Sequence, residues 1–195
     1  MELPRTKVVL WTGPKHSGKS TAARRLIDQA AAERFSVAGI LAPARYEDGV
    51  LAGFDVMNIT TGLRRSLARR TEKRSQDRHA GRFAFCRKGL RIGNAALRSP
   101  QARVADLVIV DEFGPMELHG RGWRHAVDQL IASFPGTLLL VVRNELADAV
   151  ARVYTEWVPE RIPAAEDHAA RRLLRILHLK ASALSGLRTG VGWLL

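Results

Sequence analysis

The sequence predicts an α/β fold in which a mainly parallel, doubly wound sheet lies between two layers of helices. Short apolar runs at residues 8–11, 107–110 and 137–142 have the length and composition of buried parallel strands. Between them lie segments whose apolar residues recur at helical spacing, for example 123–134. No repeat or linker interrupts this alternation, so we expect a single domain over residues 1–195.

A glycine-rich segment follows the first apolar run. Residues 13–20 read G-x-x-x-x-G-K-S, the spacing of the phosphate-binding P-loop, and a helical pattern begins directly after them. Glycine lets the backbone turn its N–H groups inward around a phosphate, and Lys19 can reach the β- and γ-phosphates. The Ser20 hydroxyl suits Mg²⁺. The segment predicts a nucleoside-triphosphate site formed by Gly13, Pro14, Lys15, His16, Ser17, Gly18, Lys19, Ser20 and Thr21.

The first half of the chain contains an expected insertion. The predicted elements are a helix to about residue 34, a strand at 36–43, a turn at 46–49, strands at 50–59 and 64–68, a polar loop at 69–82 and a short strand at 83–85. A Thr-Thr-Gly turn between the two middle strands indicates an antiparallel hairpin. We expect this hairpin and the basic loop to form an insertion of about residues 46–86 at the sheet edge.

The second half alternates more regularly. The predicted elements are a helix at about 88–98, a strand at 107–110, a helix at 123–134, a strand at 137–142, a helix capped by Asn144, a short strand at 157–158 and a helix at 164–177. Residues 182–195 have no assignable pattern.

The composition narrows the class of protein. The chain has 31 basic and 19 acidic residues, and eleven Lys and Arg fall within 64–91, opposed only by Glu72 and Asp77. Such a segment can attract nucleic acid or nucleotide phosphates, although a solvated arginine-rich surface has the same pattern.

The chain has one cysteine, Cys86, which excludes an intrachain disulfide and is typical of a cytoplasmic protein. No apolar run reaches the roughly 20 residues of a membrane span, and no secretory signal is apparent.

The strand at 107–110 ends in two acids, Asp111 and Glu112. An apolar strand of this kind, a Walker B strand, lifts an acid to the sheet edge where Mg²⁺ lies, so Asp111 and Ser20 are the candidate metal ligands. Glu112 can orient a water in line with the γ-phosphate and accept its proton. Arg143 follows a strand expected to neighbour this one and is a candidate for stabilising transition-state charge. Glu112, Lys19 and Arg143 are therefore the candidate catalytic residues.

Other site types find little support. The histidines and the cysteine have no zinc-site spacing, and no N-K-x-D motif for guanine occurs. His16 is expected to be exposed, and the arginines within 64–82 are candidates for a lid over the nucleotide.

Residues 111–118 read D-E-F-G-P-M-E-L. This segment resembles the D-E-x-G-x-M-E-L signature of the small nucleoside-triphosphatases first described from thermophiles, a family that includes the vertebrate cancer-related nucleoside-triphosphatase. The hairpin segment 53–62, the segment 83–97 and the strand end at 141–143 are also similar, so the resemblance covers about residues 8–143.

The resemblance implies a P-loop core and slow, Mg²⁺-dependent hydrolysis of ATP, GTP and other nucleoside triphosphates. By the same resemblance, residues 13–21 bind phosphate, Asp111 binds the metal and Glu112 activates water. Glu117 matches a second family acid whose role stays open. Lys15 and His16 stand where the family's loop has proline and a middle glycine.

Three functions remain open. The first is a nucleoside-triphosphatase. The second is a small-molecule or nucleotide kinase, which the Asp-Glu pair favours less because it supplies a base for water without an obvious acceptor pocket. The third is a nucleotide-gated, nucleic-acid-binding ATPase that uses the basic segment 64–91. The oligomeric state does not follow from the sequence.

Overall fold

A computed structural model describes residues 5–71 and 83–189, and the side chains as far as residue 184. Its strands are β1 (Lys7–Gly13), β2 (Val37–Leu41), β3 (Ala44–Glu47), β4 (Val50–Asn58), β5 (Arg64–Arg70), β6 (Phe83–Phe85), β7 (Leu107–Val110), β8 (Thr137–Arg143) and β9 (Glu160–Pro163). Its helices are α1 (Lys19–Ala32), α2 (Arg87–Leu97), α3 (Pro100–Val104), α4 (Pro115–Leu118), α5 (Arg124–Ser133), α6 (Asn144–Val153) and α7 (Ala169–Thr189).

The strands form one mixed sheet in the order β6-β5-β4-β2-β7-β8-β1-β9, with β3 also paired to β4. The five strands from β2 to β9 in this order are mutually parallel. Strands β3 to β6 are antiparallel to their neighbours and extend the sheet beyond β2. The predicted fold class, a mainly parallel sheet with an antiparallel hairpin at its edge, is confirmed.

Side chains alternate between the two faces of the central strands and build two separate cores. On one face, residues such as Leu10, Val108 and Leu140 pack with α2, α5 and α6. On the other face, residues such as Trp11 and Leu139 pack with α1 and α7. Both faces are therefore covered, which accounts for the unbroken apolar runs in these strands.

The expected turn at 46–49 is partly wrong, because strand β3 occupies residues 44–47. Pro43 has no N–H to donate and separates β3 from β2, while its carbonyl accepts a hydrogen bond from Asp55 N at 3.0 Å. The chain then reverses at Asp48 and Gly49, which both have positive φ, as in a tight two-residue hairpin turn.

The C-terminal third differs most from the prediction. Residues 155–157 form a 3-10 turn instead of leading into a strand, and the last strand is β9, paired with β1. Only Ile162 of β9 is buried, so the strand lacks an apolar pattern. The last helix begins at Ala169 and extends to Thr189. Asn144 is the first residue of α6 and makes no cap hydrogen bond, so its predicted capping role is wrong.

Two short helices, α3 and α4, lie where no helix was predicted. Strand β5 extends to Arg70, and most of the predicted loop at 69–82 lies outside the described residues. Over residues 5–71 and 83–189, no helix combines the length and the apolar character that crossing a membrane requires.

Candidate active site

The glycine-rich loop connects the end of β1 to the start of α1. A Cβ on Gly13 would lie 2.7 Å from Ser17 Oγ, so a larger residue here would force the Ser17 side chain to shift. Gly18 and His16 both have positive φ, at 79° and 61°. Left-handed residues of this kind are typical of the anion-binding nests that phosphate-binding loops form.

Lys19 is buried at the first turn of α1, and its Nζ donates to the Pro14 carbonyl at 2.6 Å. Burial lowers the pKa of its ammonium below the usual value, although the negative charge of the nearby Glu112 raises that pKa in part. An ammonium held within the loop, with one loop carbonyl as its partner, is placed to exchange that partner for a phosphate oxygen.

Asp111 joins three elements at the carboxyl end of β7. Its Oδ1 accepts from Ser20 Oγ at 3.0 Å, and its Oδ2 accepts from Ala42 N at 2.9 Å. The side chain is fully buried, and this burial, followed by the charge of Glu112, raises its pKa to about 6. Strand β8 separates β7 from β1, so the hydrogen bond to Ser20 brings together the two predicted metal ligands across an intervening strand.

These residues fit a magnesium ion. A hydroxyl and a carboxylate are hard oxygen ligands of the type that Mg²⁺ prefers. In the described part of the chain, no group of three His, Cys, Asp or Glu could hold a metal by itself. Phosphate and water oxygens would therefore complete the coordination, as is usual for Mg²⁺ at nucleotide sites.

Glu112 has a strained backbone, with φ at 64°. Non-glycine residues rarely adopt this conformation, and such strain concentrates at functional sites. Its carboxylate Oε2 lies 3.7 Å from Nη2 of Arg143, the last residue of β8. The pairing of β8 with β7 places this arginine beside the acid, as the sequence suggested.

A cavity of about 560 Å³, which we call the P-loop cavity, opens beside these groups. Residues 16–21 line it together with Asp111 and Glu112. Lys15 does not; it lines a second cavity, which Glu112 also lines. His16 is exposed, as expected.

Sequence reasoning missed several residues that line the P-loop cavity: Arg24, Tyr46, Phe54 and Met57. Arg24 lies one helical turn after Ser20, and this i, i+4 spacing was a usable signal. The other three come from β3 and β4, so their position depends on strand pairing that the sequence did not reveal. Arg64 also lines the cavity and, among the described arginines of the predicted lid group, is the one found there.

Glu117 holds the loop after β7 in place. Its Oε2 accepts from Gly114 N at 2.9 Å and its Oε1 from Trp123 N at 3.1 Å. The side chain is 4% exposed, and burial raises its pKa to about 7 despite these bonds. This second acid of the signature thus bridges the two ends of the segment 114–123.

The described basic residues of the segment 64–91 are exposed on β5 and α2, namely Arg64, Arg65, Arg69, Arg70, Arg87, Lys88 and Arg91. Arg64 pairs with Asp55, its Nε lying 2.7 Å from Oδ2. Lys73, Arg74, Arg78 and Arg82 lie outside the described residues.

A parallel-sheet core whose first strand leads into a glycine-rich loop, with a buried lysine and an acid on a nearby strand, defines a P-loop nucleotide-binding protein. Comparison with known protein families identifies which family within this class the chain belongs to. The chain belongs to the NTPase family, whose model matches residues 8–158.

Curated relatives share much of the chain. The nucleoside-triphosphatase THEP1 of Methanothermobacter thermautotrophicus is 38% identical over 130 residues, which are 64% of this chain and 70% of the relative. THEP1 of Archaeoglobus fulgidus is 29% identical over 168 residues, or 85% of this chain and 96% of the relative.

Two solved structures share the fold. A human cancer-related nucleoside triphosphatase has a TM-score of 0.64 at 21% identity, covering 94% of this chain and 98% of that one. THEP1 from the hyperthermophile Aquifex aeolicus has a TM-score of 0.65 at 15% identity, and the match covers 88% of this chain and 97% of that one.

Proposed function

We propose that the protein hydrolyses nucleoside 5′-triphosphates, including ATP and GTP, to the diphosphate and phosphate. The observation that carries the proposal is the position of Glu112, a carboxylate at the rim of the P-loop cavity beside Arg143. The names of the relatives, nucleoside-triphosphatases, support the same reaction.

The triphosphate is held before any bond breaks. The loop amides of residues 13–21 and the Lys19 ammonium bind the β- and γ-phosphates. Ser20 and Asp111 would hold Mg²⁺, which neutralises phosphate charge when bound. Because the Ser20–Asp111 hydrogen bond already exists, these two ligands need little rearrangement.

Glu112 then acts on water. Its carboxylate orients a water molecule in line with the γ-phosphate and takes the proton as the oxygen attacks phosphorus. The bond to the β–γ bridging oxygen breaks, and the electron pair leaves with the diphosphate. Arg143 lies close enough to Glu112 to stabilise charge on the transferring phosphoryl group.

We propose broad base specificity and slow turnover. The wall of the P-loop cavity formed by β3 and β4 presents Tyr46, Phe54 and Met57. Aromatic and thioether groups contact the flat face of any base, whereas selection of one base needs hydrogen bonds to its edge. A cavity that stays partly open to solvent also orders the attacking water poorly, which favours a low rate.

Phosphate release from ATP and GTP with Mg²⁺ tests the proposal, with wild type compared against Glu112→Gln. The variant keeps the size of the side chain but cannot accept the proton, so we expect release to fall about a hundredfold or more while nucleotide still binds. Val104→Ala, at a residue 80% exposed outside the site, is the control and should match wild type. Full activity of Glu112→Gln would refute the role of this acid.

A nucleic-acid-coupled ATPase is a second candidate, supported by the exposed arginines of β5 and α2. RNA or DNA should then stimulate phosphate release, and the stimulation should fall steeply with added salt. No stimulation at low salt would remove this candidate.

A further inference from the structure

A second cavity of about 350 Å³ adjoins the P-loop cavity, and we call it the aromatic cavity. The two cavities share Ala42, Phe54 and Glu112 as lining residues. Its volume is at the lower end of the range of small-molecule sites, about 300–1,000 Å³. The sequence indicated no obvious acceptor pocket next to the Asp-Glu pair, whereas the structure contains a cavity beside Glu112.

The walls of the aromatic cavity come from several elements that hold each other in place. Phe54 of β4 and Phe83 of β6 meet edge to face, with ring centroids 5.1 Å apart. Trp123 also lines this cavity, and its ring is packed so closely on Gly93 that a Cβ there would lie 2.3 Å from it. The backbone of Trp123 is also fixed by Glu117, so this wall is a built surface and not a loose side chain.

One end of the aromatic cavity is charged. Glu112 lies there with two cations, Arg143 and Lys15. Lys15 belongs to the phosphate-binding loop, yet it lines this cavity and not the P-loop cavity. An occupant would therefore have its apolar part against aromatic rings and its polar end near Glu112, which lines both cavities.

We infer that the aromatic cavity binds a nucleoside as a phosphoryl acceptor, so that the protein transfers the γ-phosphoryl group to a nucleoside hydroxyl. A nucleoside fits because its flat base suits walls of Phe and Trp, and its sugar supplies a hydroxyl for the charged end. The inference rests on the proposed nucleoside-triphosphate site, which supplies the phosphoryl donor.

The transfer balances without any further reactant. The nucleoside oxygen forms a bond to the γ-phosphorus as the bond to the β–γ bridging oxygen breaks. The hydroxyl proton passes to Glu112, and the electron pair leaves with the nucleoside diphosphate. Lys15 and Arg143, which line the aromatic cavity, stabilise the charge on the transferring group. Water takes the place of the nucleoside when the aromatic cavity holds none.

The test uses ATP labelled at the γ-phosphate, Mg²⁺ and the full chain, with adenosine, guanosine, cytidine, uridine or thymidine as the added probe. Labelled inorganic phosphate and labelled nucleoside monophosphate are measured separately. We expect label in the monophosphate of at least one nucleoside, at a rate above acceptor-free phosphate release.

Phe85→Ala removes an aromatic side chain that lines the aromatic cavity and is already 37% exposed, so folding should tolerate it; a melting curve checks this. The ratio of transfer to acceptor-free hydrolysis should fall about tenfold, the loss expected for one stacking ring. Val104→Ala should keep the wild-type ratio.

The outcomes separate the two proposals. Phosphate release with no labelled monophosphate from any of the five nucleosides overturns the acceptor site and leaves hydrolysis standing. Transfer without acceptor-free release overturns hydrolysis alone, and the absence of both overturns both. A Phe85→Ala ratio equal to wild type, with transfer present, places the nucleoside elsewhere and also overturns the site.

Discussion

The two halves of the sheet differ in how their side chains are used. In the parallel half, β7 and β8 are buried on both faces, and the groups proposed to carry the chemistry, Asp111, Glu112 and Arg143, lie at their carboxyl ends. In the antiparallel half, β3 to β5 are largely half-buried or exposed, and they line both cavities. A fully covered region therefore positions the proposed reacting groups, while a less buried region provides most of the cavity walls that a ligand would contact.

The largest expected effect separates the two lysines of the loop. Lys19→Ala should reduce nucleoside-triphosphate turnover by at least about a hundredfold, because it removes the buried ammonium proposed to bind the phosphates. Lys15→Ala should have a much smaller effect on acceptor-free hydrolysis, since Lys15 lines the aromatic cavity. Steady-state phosphate release measures both. Equal losses in the two variants would contradict this division between the cavities.

The next prediction tests the rigidity of the parallel half. Leu139→Ala in β8 should lower the free energy of unfolding by about 4 kcal/mol, because the residue is 0% exposed in a strand covered on both faces. Leu63→Ala in the hairpin turn, at a residue 40% exposed, should cost less than about 1 kcal/mol. Denaturant unfolding measures both values. Similar losses would mean that the two halves contribute alike to stability.

A third prediction concerns pH and the segment 114–123. The pKa of Glu117 is raised from 4.5 to about 7 by burial, so the folded state holds this proton more tightly than the unfolded state. The contribution of Glu117 to the free energy of unfolding should therefore be greatest below about pH 4.5. It should decline by about 3 kcal/mol as the pH rises to about 7. Glu112 contributes to the same shift through its charge.

Glu117→Gln removes the titrating group and keeps a carbonyl that can accept one of the two backbone hydrogen bonds. Its unfolding free energy should lack this decline between pH 4.5 and 7. The measurement is denaturant unfolding at several pH values for both proteins. An unchanged slope in the variant would assign the pH dependence to other residues.

The smallest effect is expected at the base end of the P-loop cavity. Tyr46→Ala removes an aromatic side chain that lines this cavity but is 59% exposed. The KM values for ATP and for GTP should both rise several-fold, which corresponds to a loss of about 1 kcal/mol of binding free energy. The kcat values should change little because Tyr46, on β3, is not among the groups proposed to act on the γ-phosphate. A rise confined to one nucleotide would mean that this side chain selects a base.

The local sequence pattern was sufficient to predict the phosphate-binding loop and the two acids of the site. Residues 13–21 and the acids after β7 could be identified from sequence, because a phosphate loop and a strand-ending acid are set by residues adjacent in the chain. The hairpin of β4 and β5 was also predictable from its turn. Strand β9 was not, since a single buried side chain, Ile162, leaves no periodic pattern.

The sequence by itself determined the fold class, the phosphate loop and the identity of the two acids. Only the tertiary structure decided that Ser20 meets Asp111, that Arg143 reaches Glu112, and that Lys15 faces a second cavity. The physical reason is that these contacts join residues far apart in the chain, whose distances depend on strand order and packing. Hydrophobic periodicity indicates which face of a strand is buried, but not which strand lies beside it.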